Sequence, residues 1–435
     1  MNMQDVPPDF ENCGPLMYQL ITELFPICRS ITGNGLRETM RIIQKHIPIT
    51  IYEVPSGTKV FDWTVPKEWN IRDAYIMDER GKKIVDFNDN NLHVLGYSIP
   101  IDKTVSLVEL QKHLYSLEDQ PNAIPYTTSY YMERWGFCLT HKQRITLQDG
   151  LYKVFIDSDI SDGFLNYGEL IIPGSTEKEI FLSTYVCHPS MANNELSGPV
   201  VATFLTKWIL NKSRRYTYRI IFIPETIGSI TYMSRNVAQM QKNIVAGYNI
   251  TCIGDDRAYS YLPSRNGSTL ADRAAINILS AKHPKFNKYS FLERGSDERQ
   301  YCSPRIDLPV ASVMRSKYGT YPEYHTSLDN LSFVTPEGLQ GGFEVLKDCL
   351  QLIEKNKRYR IKCYGEPQLG RRGLYPTLGT KDMSKYVIDM MNFIAYADGT
   401  NDLIEISDAI QVPVSEIYNI VDKLLEADLL TEVDE

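Results

Sequence analysis

Two histidines and several acidic or amide side chains follow predicted strands, where they could do chemistry. The apolar run EIFLSTYVC ends at His188, and the polar loop after it contains Asn194 and Glu195. Glu225 follows a second run, YRIIFIP, and His325 lies in the loop YPEYHTSLDN after LPVASVMR. Imidazole and carboxylate groups are zinc ligands, and a glutamate can take a proton from metal-bound water. These residue types predict a metal-dependent hydrolase, with Glu225 as the catalytic base.

The elements that must position these residues form a β-α-β pattern between residues 179 and 315. The runs EIFLSTYVC, YRIIFIPE, IVAGYNITCI and LPVASVMR read as buried strands, with helical segments such as GPVVATFLTKWILNK between them. Near-continuous apolar strands that alternate with helices indicate a largely parallel sheet covered on both faces. Ligands of such sheets bind beyond the carboxyl ends of the strands. The histidines and carboxylates are therefore expected at one edge of the sheet.

Changes in pattern along the chain predict three domains. Residues 1–56 and 149–358 are expected to form one discontinuous α/β domain, with a mixed, mainly parallel sheet flanked by helices. Residues 57–148, rich in aromatics and short strands, are expected to form an inserted β-rich module. A Gly/Pro/Arg-rich linker leads to residues 366–435, which read as helix, turn, helix and short strand. This last pattern predicts a winged-helix domain.

Composition narrows the class of protein. The chain has 435 residues, a net charge of −8 and eight cysteines that form no CxxC pair. Scattered cysteines in a chain of this length are typical of a reducing compartment. The N-terminal segment has no apolar core of a signal peptide, and no stretch approaches the roughly 20 apolar residues of a membrane span. We therefore predict a cytoplasmic protein with no membrane partner.

The acidic C-terminal segment argues against a nucleic-acid partner. From residue 391 to the end there are eleven acidic residues and one basic residue, Lys423. A recognition helix without arginine or lysine to meet phosphates is a poor DNA reader. The winged helix is therefore expected to serve packing, a protein partner or self-association, and salt-sensitive binding to duplex DNA would reverse this interpretation.

The polar loops resemble those of the di-zinc aminopeptidases of the M28 family. CHPS matches the motif of the first metal-binding histidine at His188, and ANNELSG matches the segment of the bridging carboxylate at Asn194. PETIGS matches the Glu-Glu segment, with Glu225 as general base, and YHTSLDN matches the loop of the last histidine ligand at His325. The resemblance covers roughly residues 150–355 and 1–55. It implies a zinc-exopeptidase-like fold and a hydrolytic site.

A narrower resemblance is to the aminopeptidase-like proteins of the DUF4910 group. It depends on the combination of CHPS, ANNELSG, PETIGS and GDDRAYSY. That group carries a DUF2172 module inserted in the peptidase fold and a winged-helix tail, which fits the domain pattern given above. Its members are often described in connection with surface-polysaccharide biosynthesis, and the resemblance implies this association for the present chain.

The chain departs from the M28 pattern at several positions. Neutral residues replace three carboxylates of the two-metal site, at Asn194, Thr226 and Thr251. Ser190 replaces the aspartate of the His-x-Asp motif, and Glu298 stands where a histidine is expected. A neutral amide is a weak bridge between two dications, because it does not offset their mutual repulsion. We therefore expect one zinc ion per chain, with candidate ligands His188, Asn194, Glu195 and His325.

Four further residues are candidates for substrate binding, and three of them have a structural alternative. They are Asp255, Arg299, Tyr301 and Tyr324. Asp255 follows Gly254 and could be a turn residue, whereas Arg299 and Tyr301 could reach a substrate carboxylate or phosphate or belong to a surface salt bridge.

Two functions of different classes follow from these residues. The first is an aminopeptidase-type hydrolase of a small peptide or amide, such as a peptide N-terminus or an acylated amino sugar. The second is a catalytically degenerate protein on a peptidase scaffold that binds a peptide or glycan precursor. Fold alone does not choose between them, since exopeptidase folds also carry other chemistry.

Overall fold

The computed structural model describes residues 9–375 and 381–433. Three parts of the predicted domain pattern lie outside the described residues: the first eight residues, the last two residues, and residues 376–380 of the predicted linker. The chain divides into two compact units. The first comprises residues 1–269 and 287–346, and the second comprises 270–286 and 347–435.

The first unit contains the inserted module and most of the predicted α/β domain, whose residues 270–286 and 347–358 belong to the second unit. The helices of the first unit are α1 (Gly14–Leu24), α2 (Asn34–Gln44), α3 (Leu107–Leu110), α4 (His141–Ile145), α5 (Ser197–Leu210), α6 (Ile227–Asn243) and α8 (Glu298–Tyr301). Its strands are β1 (Thr50–Pro55), β2 (Lys59–Val60), β3 (Trp63–Thr64), β4 (Glu68–Met77), β5 (Lys83–Asp86), β6 (Ile101–Ser106), β7 (Leu114–Tyr115), β8 (Phe137–Cys138), β9 (Leu151–Ser161), β10 (Phe164–Ile172), β11 (Glu179–Tyr185), β12 (Thr217–Ile223), β13 (Ile244–Asn249), β14 (Ser260–Leu262), β15 (Asn287–Lys288) and β16 (Val310–Met314).

An eight-stranded mixed sheet forms the centre of the first unit. Its order is β1-β10-β12-β11-β13-β16-β14-β15. The four central strands, β12, β11, β13 and β16, are parallel, whereas β1, β10 and β14 pair antiparallel. Every residue of β11 and of β16 is buried, as expected for strands covered on both faces. The prediction of a mainly parallel α/β sheet is confirmed.

Helix α5 packs closely against this sheet because it begins with Ser197 and Gly198. A Cβ atom on Gly198 would lie 2.4 Å from the carbonyl oxygen of Ile250 and 2.6 Å from Oγ1 of Thr184. Glycine therefore permits the helix to start directly over the sheet edge. No helix in the described part of the chain combines the length and apolar character that a membrane crossing needs.

The inserted module has its own four-stranded antiparallel sheet, in the order β5-β4-β9-β6. Because β9 belongs to this sheet, the strands of the module continue beyond the predicted boundary at 148. Trp69 and Trp135 are buried in cores, whereas Trp63 and Tyr131 are exposed and meet edge to face.

The second unit contains the predicted winged helix. Its elements are α7 (Leu270–Lys282), the C-terminal part of α9 (Pro336–Lys355), β17 (Arg358–Ile361), α10 (Lys381–Tyr396), β18 (Asp398–Asp402), α11 (Leu403–Ile410), α12 (Val414–Glu426) and β19 (Leu430–Val433). Asp402 and Glu405 form a capping box at the start of α11. The three strands form an antiparallel sheet in the order β18-β17-β19. Helix, turn, helix and terminal strand follow one another as the sequence predicts.

Candidate functional site

The carboxyl ends of the parallel strands deliver the predicted residues to one edge of the central sheet. β11 ends three residues before His188, β12 ends two residues before Glu225, and β13 ends two residues before Thr251. The loop with His325 follows β16. The rings of His188 and His325 have centroids 5.5 Å apart, and Nε2 of His188 lies 3.7 Å from Oε2 of Glu225. The structure therefore brings His188, Glu225 and His325 together.

A buried ion pair between Arg29 and Glu195 holds His188 in place. Its Nδ1 lies 2.9 Å from Oε2 of Glu195, and its backbone carbonyl accepts a 2.8 Å hydrogen bond from Nε of Arg29. The same Nε lies 3.4 Å from Oε1 of Glu195, and the Arg29 and Glu195 side chains have no solvent exposure. Glu195 thus contacts His188 on the side away from Glu225.

The charges in this cluster depend on one another. Burial lowers the pKa of Arg29, and the Glu195 carboxylate opposes that effect. For His188, burial opposes the charged form, but the hydrogen bond to Glu195 and the negative charges of Glu195 and Glu225 together outweigh it, so the pKa of His188 is raised. A carboxylate bonded to one ring nitrogen fixes the tautomer and leaves the other nitrogen free to face a ligand. Nε2, which faces Glu225, is that other nitrogen.

The loop that follows His188 is fixed by Asp329. Residues 192–196 form a single π-helical turn, and the backbone N–H groups of Asn193 and Asn194 donate to the Asp329 carboxylate at 2.6 and 2.9 Å. Burial raises the pKa of Asp329 to about 7. Since Asp329 belongs to the same loop as His325, this carboxylate ties the two halves of the site together.

The three neutral replacements differ in how their polar atoms are bonded. The Thr251 hydroxyl bonds to the Tyr185 hydroxyl at 2.6 Å, and the Thr226 hydroxyl accepts from Arg299 at 2.6 Å. The Asn194 amide nitrogen donates to Tyr185, but its amide oxygen is buried with no hydrogen-bond partner among the described residues. A buried acceptor without a partner is costly and calls for an explanation.

Glu225 lies at a strained turn. Ile227 N donates to the Glu225 carbonyl at 2.8 Å, and Thr226 between them has φ 64° and ψ −73°. This is a γ-turn with positive φ, which is rare for a β-branched residue and costs on the order of 1–3 kcal/mol. The segment before α8 holds the turn in place: Ser296 donates to Oε1 of Glu225, and Asp297 accepts from Thr226 N.

The inserted module completes the wall around the histidines. Tyr126 N donates to the His325 carbonyl at 2.8 Å, and Pro125 forms a β-bridge with Thr326. The Tyr126 ring consequently lies 5.0 Å from His188 and 5.1 Å from His325. The Tyr324 ring stacks on His325 at 3.9 Å. Burial, together with the positive charge of His188, lowers the pKa of His325 to about 3, so this imidazole is a neutral potential ligand.

Two faces of His188 can be compared as metal sites. On the Nδ1 side, Cys187, His188 and Glu195 have ligand atoms within 4.8 Å of one another. That side suits an ion poorly, because burial raises the pKa of the Cys187 thiol and Arg29 already neutralises Glu195. On the Nε2 side lie the His325 ring and the Glu225 carboxylate. Imidazole nitrogens and carboxylate oxygens are typical zinc ligands, so this side fits one ion better than the Nδ1 side does.

The other predicted site residues lie in different surroundings. Asp255 is buried and accepts hydrogen bonds from Ser316 and Asn193, so it supports the loops. Tyr301 is fully buried, bonded to Ser183 in the core, and the structure does not bring it to the site. Arg299 is exposed beside Thr226. Tyr324 contacts His325, as described above.

Sequence reasoning missed several residues that the site uses. They are Arg29, Tyr126, Ser296 and Asp297. Ser296 and Asp297 had a signal, because they stand in the segment that matches the Ser-Asp-His motif of the M28 family. Arg29 and Tyr126 had none, since they come from distant parts of the chain.

Asp297 gives a pH-dependent prediction. Burial, and then the neighbouring Glu225 charge, raise the pKa of Asp297 to about 8. The folded state therefore binds this proton more tightly than the unfolded chain, so the stabilisation is fully present below about pH 4 and lost as pH rises through about 8.

Asp297→Asn should remove that slope, which is at most about 1.4 kcal/mol per pH unit. The amide oxygen can keep the bonds from Thr226 and Ser229, and the amide nitrogen replaces an oxygen that has no partner among the described residues. Urea unfolding of the wild type and of Asp297→Asn between pH 5 and 9 would measure how the free energy of unfolding changes with pH. Equal slopes in the two proteins would contradict the assignment of this pH dependence to Asp297.

The comparisons with known proteins agree with this architecture. BSAP, a zinc aminopeptidase from Bacillus subtilis, superposes with a TM-score of 0.57 at 11% identity, over 79% of this chain and 95% of that chain. A peptidase M28 precursor from Shewanella amazonensis gives 0.56 at 13% identity, over 84% and 98%. At these identities the likeness shows the fold, and the first unit has the zinc-exopeptidase fold.

The family matches define the chain more specifically than the fold does. The family described as a domain of unknown function, DUF4910, matches residues 18–356, and a winged helix-turn-helix family matches residues 357–432. A Clostridium acetobutylicum protein named for polysaccharide biosynthesis, with an aminopeptidase-like domain, is 46% identical over 423 residues, 96% of either chain. A crystal structure described as a peptidase from the same organism gives a TM-score of 0.92 at 45% identity, over 98% of both chains. The chain belongs to the DUF4910 family, with a C-terminal winged helix.

Proposed function

We propose that the protein is a zinc-dependent amide hydrolase that binds one ion per chain. The observation that carries this proposal is the side of His188 that faces Glu225, where two imidazoles and a carboxylate converge. Asn194, whose buried amide oxygen has no partner among the described residues, is the third ligand that we propose. His188, His325 and Asn194 would hold the ion, and Glu225 would act as the base. When bound, zinc polarises a substrate carbonyl and lowers the pKa of water.

The residues of the chain then have distinct roles. Glu225 accepts a proton from the attacking water at its Oε2 and returns it to the leaving nitrogen, while Ser296 keeps Oε1 fixed. Burial raises the pKa of Glu225 from its ordinary value, which brings the carboxyl closer to neutral pH and suits both steps. Tyr126 and Tyr324 exclude water from the faces of the two imidazoles.

The substrate that we propose is a small amide, either a peptide or an acylated amino sugar. The name of the Clostridium relative supports the second, since it refers to polysaccharide biosynthesis. We further propose that the winged helix is a protein-contact module, because its acidic sequence disfavours phosphate contacts. A catalytically degenerate binding protein is the alternative, favoured by the neutral residues at positions 226 and 251, whose hydroxyls are engaged by neighbours.

Metal analysis of tag-free protein tests the proposal. We expect about one zinc per chain in the wild type and a loss of that zinc in a His188→Ala/His325→Ala variant. A matched control is His46→Ala/His141→Ala, because both histidines are half-buried and lie outside the site. No bound metal after zinc is supplied would overturn the hydrolase proposal and leave the binding protein.

A further inference from the structure

Arg299 is an arginine without a counter-charge at the edge of the candidate site. Its guanidinium donates to the Thr226 hydroxyl at 2.6 Å, and its side chain is exposed. Among residues 9–375 and 381–433, no carboxylate forms an ion pair with it. Its positive charge still reaches Glu225: burial raises the pKa of that carboxyl, and Arg299 acts in the opposite direction.

The nearby carboxylates are committed elsewhere. Asp297 lies buried beneath the turn and accepts from Thr226 N and Ser229. Glu298 is buried and accepts from Asn249 and Tyr318. A second arginine near the His325 loop, Arg257, differs because it is paired with Glu323 at 2.8 and 3.0 Å. Arg299 is therefore not part of the surface salt bridge that its sequence context allows.

The site has fewer carboxylates with which to bind an ammonium group than the M28 pattern provides. Three positions at which the M28 resemblance places carboxylates are Asn194, Thr226 and Thr251. An ammonium group bound here would meet the guanidinium with no carboxylate at those positions to offset the repulsion. A planar guanidinium with free N–H donors is instead well suited to a carboxylate or phosphate.

We infer that the site takes an amide substrate carrying an anionic group, which Arg299 binds beside Thr226. This inference rests on the proposed function, since it concerns the same site and names the class of its substrate. Arg299 would act in binding and Glu225 in proton transfer, so the inference also predicts that an unmodified peptide N-terminus is a poor substrate.

Three small probes separate charge from shape: N-acetylglycine is anionic, N-acetylglycinamide is neutral and glycinamide carries an ammonium group. We expect the wild type to bind N-acetylglycine at least about tenfold more tightly than the other two in NMR titrations, because the bond to a charged partner is the stronger one. Arg299→Gln should abolish this preference and Arg299→Lys should keep part of it. Arg257→Gln, the matched control, should keep all of it.

The outcomes are distinguishable from failure of the hydrolase proposal, because probe binding needs no turnover. A preference for N-acetylglycine that survives Arg299→Gln would overturn the inference, and so would tighter binding of glycinamide. Inorganic phosphate is added as a competitor in a parallel titration. Acetate is the second competitor. If inorganic phosphate displaces N-acetylglycine at a lower concentration than acetate does, the anionic group is a phosphate; otherwise it is a carboxylate.

Discussion

Glu195→Gln is expected to lower the free energy of unfolding of the first unit by about 3 kcal/mol. Removing one member of a buried ion pair leaves the other charge uncompensated, which costs about 3–5 kcal/mol. Arg29 cannot release its proton, and its side chain has no exposure to solvent. Its bonds to the carbonyls of Leu24 and His188 remain, which favours the lower value.

Tryptophan fluorescence in urea would measure this loss, because all four tryptophans belong to the first unit. The matched control is Glu68→Gln, which breaks the less buried pair with Arg37, whose side chains are 10% and 15% exposed. We expect a smaller loss there. The double variant Arg29→Met/Glu195→Gln should lose less than the sum of the single variants. Strict additivity would show that the two side chains do not depend on each other.

The substitution Glu195→Gln should also weaken zinc binding by roughly 10–100-fold, since Glu195 orients the His188 ring. In this role Glu195 differs from the sequence prediction, which treats it as a candidate ligand. Ser190 stands where the M28 motif has an aspartate, two residues after the histidine. The structure has a carboxylate on His188 Nδ1 nevertheless, supplied by the following loop. A chelator titration that finds equal affinity in both proteins would contradict this orienting role.

The sheet and the histidine positions follow from local patterns. Apolar strands that alternate with helices predict a parallel sheet, and the rule for strand ends then brings His188, Glu225 and His325 to one edge. The strand predicted for IVAGYNITCI ends early, at Asn249, because the chain turns there and Cys252 adopts a φ of 48°. Periodicity does not reveal such a turn.

The contacts around the site depend on long-range packing. Arg29 is 159 residues from His188 in sequence, and it binds a backbone carbonyl, which leaves no side-chain pattern to detect. Tyr126 reaches the histidines because the inserted module pairs with residues 325–327, a register that only the folded chain specifies. The spacing between His188 and Glu195 does not reveal which ring nitrogen the carboxylate meets, since the π-helical turn decides it.

Glu225→Gln should lower turnover by about 10²–10⁴-fold while zinc content stays near one per chain. The glutamine keeps the shape and can still accept the Ser296 bond, but it cannot take a proton from water. The substrate for the assay is the fastest amide from a panel of acylated amino sugars and peptides. Turnover within tenfold of the wild type, or loss of the metal, would remove Glu225 from the role of base.

Ser296→Ala provides the companion measurement on the same carboxyl. Burial raises the pKa of Glu225, and the Ser296 hydrogen bond is one of the interactions that hold it down. Removing that bond should raise the pKa further, so the acidic limb of the pH–rate profile should move to higher pH, because the base must be ionised to act. A limb that stays in place would mean that another group controls it. A limb that moves as expected, together with the loss of turnover in Glu225→Gln, would identify the carboxyl that titrates as the one that accepts the proton.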